Sequence, residues 1–153
     1  MKNTLSTVHR TAAIMATLLI FSFFTSSLLV ELFGTLHQVL VVKTAILYGV
    51  GILIVLMALT GITGAKLAPN VKKGPIARKK KRMPFVAMNG LLILLPAAIY
   101  LQHLASVGQF DVTFYSIQVI ELIAGFINLS LMVMNIRDAR TLKQSPRLKE
   151  RKV

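Results

Sequence analysis

Cysteine is absent from the sequence, and with it go disulfides, thiolate metal sites and the C-x-x-C-H attachment of haem. Any cofactor would have to be held by His, Met, carboxylate or backbone. Acidic residues number only five. Charged residues together make 15% of the chain, where a soluble domain carries about 25%. No nucleophile elbow, phosphate loop, H-E-x-x-H zinc motif or dinucleotide fingerprint is present, so enzyme chemistry of the soluble kind is not expected. The net charge is +13 and the sequence pI near 10.7. Even so, the basic residues lack the aromatic interleaving that stacks bases, which argues against nucleic acid as a partner.

What the chain does have is long apolar runs. Hydrophobic residues make up 55% of the 153 positions and the mean hydropathy is +0.70. The runs reach about 20 residues, the length that crosses a ~30 Å hydrocarbon layer at 1.5 Å per residue. They predict four transmembrane helices in one domain, at about 11–31, 39–65, 84–104 and 112–136. The first run is too long for a signal-peptide core and no small-x-small cleavage site follows it, so it is expected to stay as a span. Residues 66–83 carry two prolines ahead of a run of like charges and are expected to form an exposed loop, with Pro84 opening the third span.

Lysine and arginine are distributed on one side. Two lie in the N-terminal segment (Lys2, Arg10), eight between Lys66 and Arg82, and seven between Arg137 and Lys152, while the connections 31–38 and 105–111 have none. The positive-inside rule then puts both termini, the loop 66–83 and the tail 137–153 in the cytoplasm of a bacterium, against the anionic lipid of its inner membrane. The remaining one, Lys43, lies within the second span. Short connections between spans make successive helices antiparallel neighbours, so the expected fold is all-α, an integral-membrane four-helix up-down bundle.

Polar and small residues mark packed faces in lipid. In the fourth span Gln118, Glu121, Gly125, Asn128, Met132 and Asn135 recur at helical steps and should face inward. The same reasoning selects Asn89, Pro96, Tyr100 and His103 in the third span, and Thr44, Tyr48, Gly51 and Ala58 in the second, with His37 above them. Asn89 and Asn128 are expected to hydrogen-bond across helices three and four. The seven methionines lie in or near the cytoplasmic half, which suits packing better than a copper relay.

Counting residues from the basic boundary puts Glu31, Lys43 and His103 about 30 to 35 Å up, at the far membrane surface, and Glu121 roughly 24 Å up, about one turn inside the hydrocarbon. A carboxylate there must be paired, protonated or turned to water. One reading pairs Glu121 with Lys43, or bonds it to Gln118 or Tyr100. The other makes it part of a periplasm-facing polar pocket, in which His37 and His103 ligate haem b with Glu121 and Lys43 tuning the charge, or Glu31, His37, His103 and Glu121 hold a metal ion. His9 is expected to touch head groups on the opposite side.

Three segments resemble a family of small uncharacterised four-helix inner-membrane proteins of proteobacteria, over nearly the whole chain: Arg78-Lys79-Lys80-Lys81-Arg82-Met83-Pro84, Asn89-Gly90-Leu91-Leu92, and Phe110-Asp111 through Gln118, Glu121, Gly125 and Asn128. That resemblance implies a bacterial inner membrane and no particular activity. The stretch Val41-Val42-Lys43-Thr44-Ala45-Ile46-Leu47 is similar to part of the membrane domain of copper-resistance D proteins, from which the chain departs in having half the helices and no periplasmic methionine. The expected function is that of a cofactor-binding or redox-accessory membrane component. The alternatives are a structural or assembly subunit, with a membrane-protein partner or as a homo-oligomer, and a small ion- or proton-coupled transporter.

Overall fold

The computed structural model describes residues 2–68 and 72–150, with side-chain surroundings from 3 to 140 in that range; positions 69–71 of the expected loop and 151–153 of the expected tail lie outside the described residues. The described chain is all α. Helix α1 spans Lys2–Phe33, α2 Leu36–Leu67, α3 Pro75–Asn89, α4 Leu95–Ser106 and α5 Val112–Glu150, and a π-helical turn, Gly90–Leu94, joins α3 to α4 in one continuous rod. Four helical segments are long and apolar enough to cross a membrane: Asn3–Phe33, Leu36–Leu67, Pro75–Ser106 and Val112–Arg140. Their outer surfaces carry large exposed apolar side chains such as Phe21, Ile52, Leu92 and Phe126, which suits contact with hydrocarbon rather than water.

Local sequence explains the ends of these rods. Thr35 caps α2 in a capping box: the Gln38 backbone N–H donates to Thr35 Oγ1 and the Thr35 N–H donates to Gln38 Oε1. Helix α4 closes on Gly108, whose φ of 71° suits glycine. There the Gln109 N–H donates to the Leu104 carbonyl and the Gly108 N–H to that of Ala105, as in a Schellman ending.

Asp111 caps α5, with Oδ1 accepting from the Thr113 and Phe114 N–H groups at 2.9 and 3.1 Å and Oδ2 from Gln109 Nε2 at 2.6 Å. The Gln109 amide and these backbone donors hold the Asp111 carboxyl below the usual carboxylate range. Its folded-state value being the lower one, the stabilisation is present above the unfolded value and is lost as pH falls through the folded one. Asp111→Ala should therefore lower the melting temperature at neutral pH, and the gap from the unsubstituted protein should close once the medium is more acidic than the aspartate range, about pH 3 to 4. A gap that persists unchanged in acid would mean that the carboxylate is not what caps the helix.

The expected exposed loop is shorter than its charge suggested. Helix α3 begins at Pro75, behind Gly74 at φ 86°, and runs through the basic residues with Pro84 inside it. Pro at the first helical position forfeits no hydrogen bond, and Lys and Arg are good helix formers. Arg82 Nη1 and Arg78 Nη2 also reach Asp138 on α5, at 2.8 and 3.4 Å, which ties this turn of α3 down.

The π turn changes which side of the third rod faces inward. Its Leu95 N–H donates five residues back, to the Gly90 carbonyl, and so adds one residue to the turn. In an unbroken α-helix the Pro96 ring would clash with the Leu92 carbonyl, and the wider turn opens the ladder at that point. Beyond it the buried positions are Ala97, Ala98, Leu101, Leu104 and Ala105. The expected Pro96, Tyr100 and His103 are exposed, each one residue short of the true face. Asn89, before the turn, does face inward.

A second correction concerns α2. Its buried residues are Val39, Lys43, Ile46, Val50, Thr60 and Thr63, whereas Tyr48 is 77% exposed and Gly51 and Ala58 are also exposed. The physical reason is the lone cation: a lysine within an apolar span must turn toward its counter-charge, and this rotates Tyr48 outward. The face read from α5 is as expected, with Gln118, Glu121, Gly125, Asn128, Met132 and Asn135 all buried.

Three apolar clusters fill the interior. Val30, Val39, Leu101, Leu104 and Phe114 pack at one end, Ile46, Val50 and Ala98 in the middle, and Ala16, Ile20, Val86 and Met132 toward the other. Early residues of one helix meet late residues of the next. His9 meets Thr60 and Thr63, Ser27 meets Lys43, and Arg82 meets Asp138. Across α1 and α5, Ser27 meets Gln118 and Glu121.

Candidate functional site

Lys43 is fully buried and, with Phe114, among the largest side chains that are so in the described residues. Its ammonium donates to Glu121 Oε2 at 2.5 Å and to Ser27 Oγ at 2.7 Å. Ser27 donates its own proton to the same carboxylate oxygen at 3.2 Å and accepts from Gln118 Nε2 at 3.0 Å. One hydroxyl thus uses its single donor and both acceptor positions. The arrangement joins α1, α2 and α5 through a charge pair enclosed in apolar surroundings, where Coulomb attraction is strong and a missing partner is expensive.

Of the residues singled out in the sequence, Lys43 and Glu121 come together, and the Asn89 Nδ2 group donates to Asn128 Oδ1 at 2.9 Å and to the Ala124 carbonyl at 2.8 Å. Gln118 bonds to Ser27 rather than to Glu121, and Tyr100 is 45% exposed. Glu31 lies one turn beyond Ser27 on α1, half-buried, with its Oε1 enclosed and unpartnered. His37, in the first turn of α2, and His103, in the last turn of α4, are both exposed. Among the described residues no three His, Asp or Glu side chains group as metal ligands.

Ser27 is the functional residue missed. The signal was present, since hydroxyl residues in a span mark packed faces, but Thr25, Ser26 and Ser27 are consecutive and point around the helix, so spacing selects none of them. His9 was misplaced by treating it as a head-group contact. The His9 Nδ1 group lies 3.1 Å from the Thr60 carbonyl and 3.0 Å from Thr63 Oγ1. A carbonyl can only accept, so Nδ1 carries the hydrogen and Nε2 accepts from Lys79 Nζ at 2.9 Å. His9 therefore locks α1, α2 and α3 together at the basic end.

Next to the buried ion pair lies a cavity of about 440 Å³. Ser27 and Glu121 line it at one end, Asn128 lies along its wall, and nearly all its other lining is apolar, including Phe23, Val50 and Met57. Ile54, Ile62 and Leu91 line it and are also exposed on the outer surface, so it opens at the seam between α2 and the α3 rod. Along that seam α2 barely touches α3, while it packs more fully against α4. The chamber is mainly apolar with the Glu121 carboxylate at one end, and Glu31, His37, Lys43 and His103 do not line it. Comparison with family models, with curated proteins and with solved structures finds no match for the chain.

Proposed function

We propose that the chain is a bacterial inner-membrane protein with both termini cytoplasmic, an up-down four-helix bundle that binds one lipophilic chain, acyl or isoprenoid, in the cavity between its helices. The orientation is supported by charge: 17 of 18 Lys and Arg fall in the N-terminal segment, the segment 66–83 and the tail, where they would meet anionic lipid. The antiparallel arrangement is supported by the meeting of early with late residues in successive helices.

The cavity is the observation that carries the ligand reading. Its volume falls within the usual ~300 to 1,000 Å³ of ligand pockets. Along α2 the lining runs from Ile46 to Ile62, a rise of about 24 Å, most of the ~30 Å hydrocarbon thickness. A slot this long, apolar and open sideways to lipid fits a hydrocarbon chain lying parallel to the helices and does not fit a compact polar solute. Ser27 and Glu121 offer hydrogen bonding to a hydroxyl or carbonyl at the end of such a chain.

Native mass spectrometry of protein purified in mild detergent should show one bound lipophile, released by organic extraction. Ala58→Phe combined with Ala87→Phe, both positions on the lining, should lose it at an unchanged melting temperature. The same ligand content in both proteins, or none in either, would sink the proposal. A visible spectrum separates it from haem held by His37 and His103, since a Soret band that disappears in His37→Ala and in His103→Ala belongs to the haem reading alone.

A further inference from the structure

Two buried acceptors near the ion pair have no protein donor: Glu31 Oε1 and Gln118 Oε1. They stand on different helices, and the fold brings them to one level. Glu31 is four residues, one helical turn, from Ser27 toward the end of α1. Gln118 is three residues from Glu121 toward the start of α5. Because Ser27 meets both Gln118 and Glu121, and α1 and α5 run in opposite senses, a step of one turn along α1 to Glu31 matches the step from Glu121 back to Gln118. The Gln118 side chain belongs to a residue only 3% exposed. Its amide nitrogen is already committed to Ser27, so its oxygen needs a donor from elsewhere.

Charge gives an independent reason. Lys43 is the one cation facing this region from α2, and it faces two carboxylates, Glu121 from α5 and Glu31 from α1. The remaining titratable groups at this end among the described residues are His37, Tyr100, His103, Asp111 and Tyr115, all exposed. With both glutamates ionised the cluster holds one uncompensated negative charge in apolar surroundings. A single proton removes the excess charge and supplies the missing donor. We propose that Glu31 and Gln118 form a proton-binding site, in which the Glu31 carboxyl carries a proton taken from the aqueous phase on the side away from the basic segments and donates it to Gln118 Oε1. Binding converts carboxylate and proton to carboxylic acid with no other group consumed. Glu31, half-buried next to the exposed turn Gly34–Thr35, has access to that aqueous side. The inference is independent of the lipophile reading, since neither Glu31 nor Gln118 lines the cavity.

Infrared spectroscopy of the full chain reconstituted in vesicles tests it. At neutral pH a carbonyl band of a protonated carboxyl should be present and should move down in heavy water. Glu31→Gln should lose that band while keeping the melting temperature, because its amide N–H can donate to Gln118 Oε1 as the proton-bearing acid does. Gln118→Leu should keep the band and move it to higher frequency, having removed its acceptor. No protonated-carboxyl band in the unsubstituted protein, a band that survives Glu31→Gln, or one that does not move in Gln118→Leu would each overturn the site. So would a melting temperature that rises with sodium at constant ionic strength and loses that rise in Glu31→Gln, which would assign the two acceptors to a metal cation instead.

Discussion

Lys43→Met is expected to destabilise the protein by about 3–5 kcal/mol, the loss that follows when one member of a buried ion pair is removed and the other is left uncompensated. Against a total of roughly 5–15 kcal/mol this is close to unfolding, and it should register as a collapse of yield or melting temperature in detergent. Glu121→Leu should do comparable damage. A lysine near the far membrane surface would ordinarily snorkel to water once orphaned, which would spare the Glu121 variant. The side chain of Lys43 is 0% exposed, however, so it has no such path without disturbing the core. The double variant Lys43→Met/Glu121→Leu should regain most of the loss, because two apolar groups of similar bulk carry no charge to desolvate. A double-mutant cycle in thermal denaturation reads the coupling directly. Additive losses with no recovery would mean that the two residues act separately.

The second large effect belongs to Ser27. Ser27→Ala removes an acceptor from Lys43, a donor from Glu121 and the only bonded partner of Gln118 Nε2. With Gln118 Oε1 already unpartnered, the whole amide is then buried unsatisfied. A loss of about 2–3 kcal/mol is expected from that group. Ser26→Ala is the matched control, since Ser26 Oγ bonds only to the Phe23 carbonyl of its own helix, and it should change the melting temperature little. Ser27→Thr keeps the hydroxyl and should lie between them. Equal behaviour of Ser26→Ala and Ser27→Ala would remove the serine from the centre of the cluster.

How far the sequence could be read depended on whether each helix kept its period. Along α5 Gln118, Glu121, Asn128 and Asn135 stand on an unbroken α-helix, and each of these four is buried where three- and four-residue spacing puts it. The bond between Asn89 and Asn128 was legible for the same reason, both residues lying on regular turns. On α2 polarity misled. Tyr48 and Thr44 looked like an inward stripe, yet one charge outweighs several weakly polar groups, and Lys43 sets the rotation of the helix. The Lys43–Glu121 pair itself followed from the cost of a lone carboxylate in hydrocarbon. Spacing puts His103 on the inward face only if the third rod keeps its period, which the π turn breaks, and His37 follows the Tyr48 side of α2 outward; both are exposed, whereas His9 turns in to Thr60 and Thr63. The cavity had no sequence signal, because it is bounded by ordinary apolar residues whose only shared property is that they do not quite meet.

The widened turn at Gly90–Leu94 has a consequence for how this chain could change length. Elsewhere in a packed helix, losing one residue swings everything beyond it by about 100° around the axis; in α2 ahead of Lys43 such a loss would carry the ammonium away from Glu121. Within the π turn the same loss would only restore the ordinary α-helical spacing. Asn89 on one side, and the residues now numbered Ala97, Leu101 and Leu104 on the other, would keep their common direction, with the proline ring left as the obstacle to a straight rod. The turn is therefore a one-residue reserve of slack, a place where a single deletion leaves both flanking surfaces aligned.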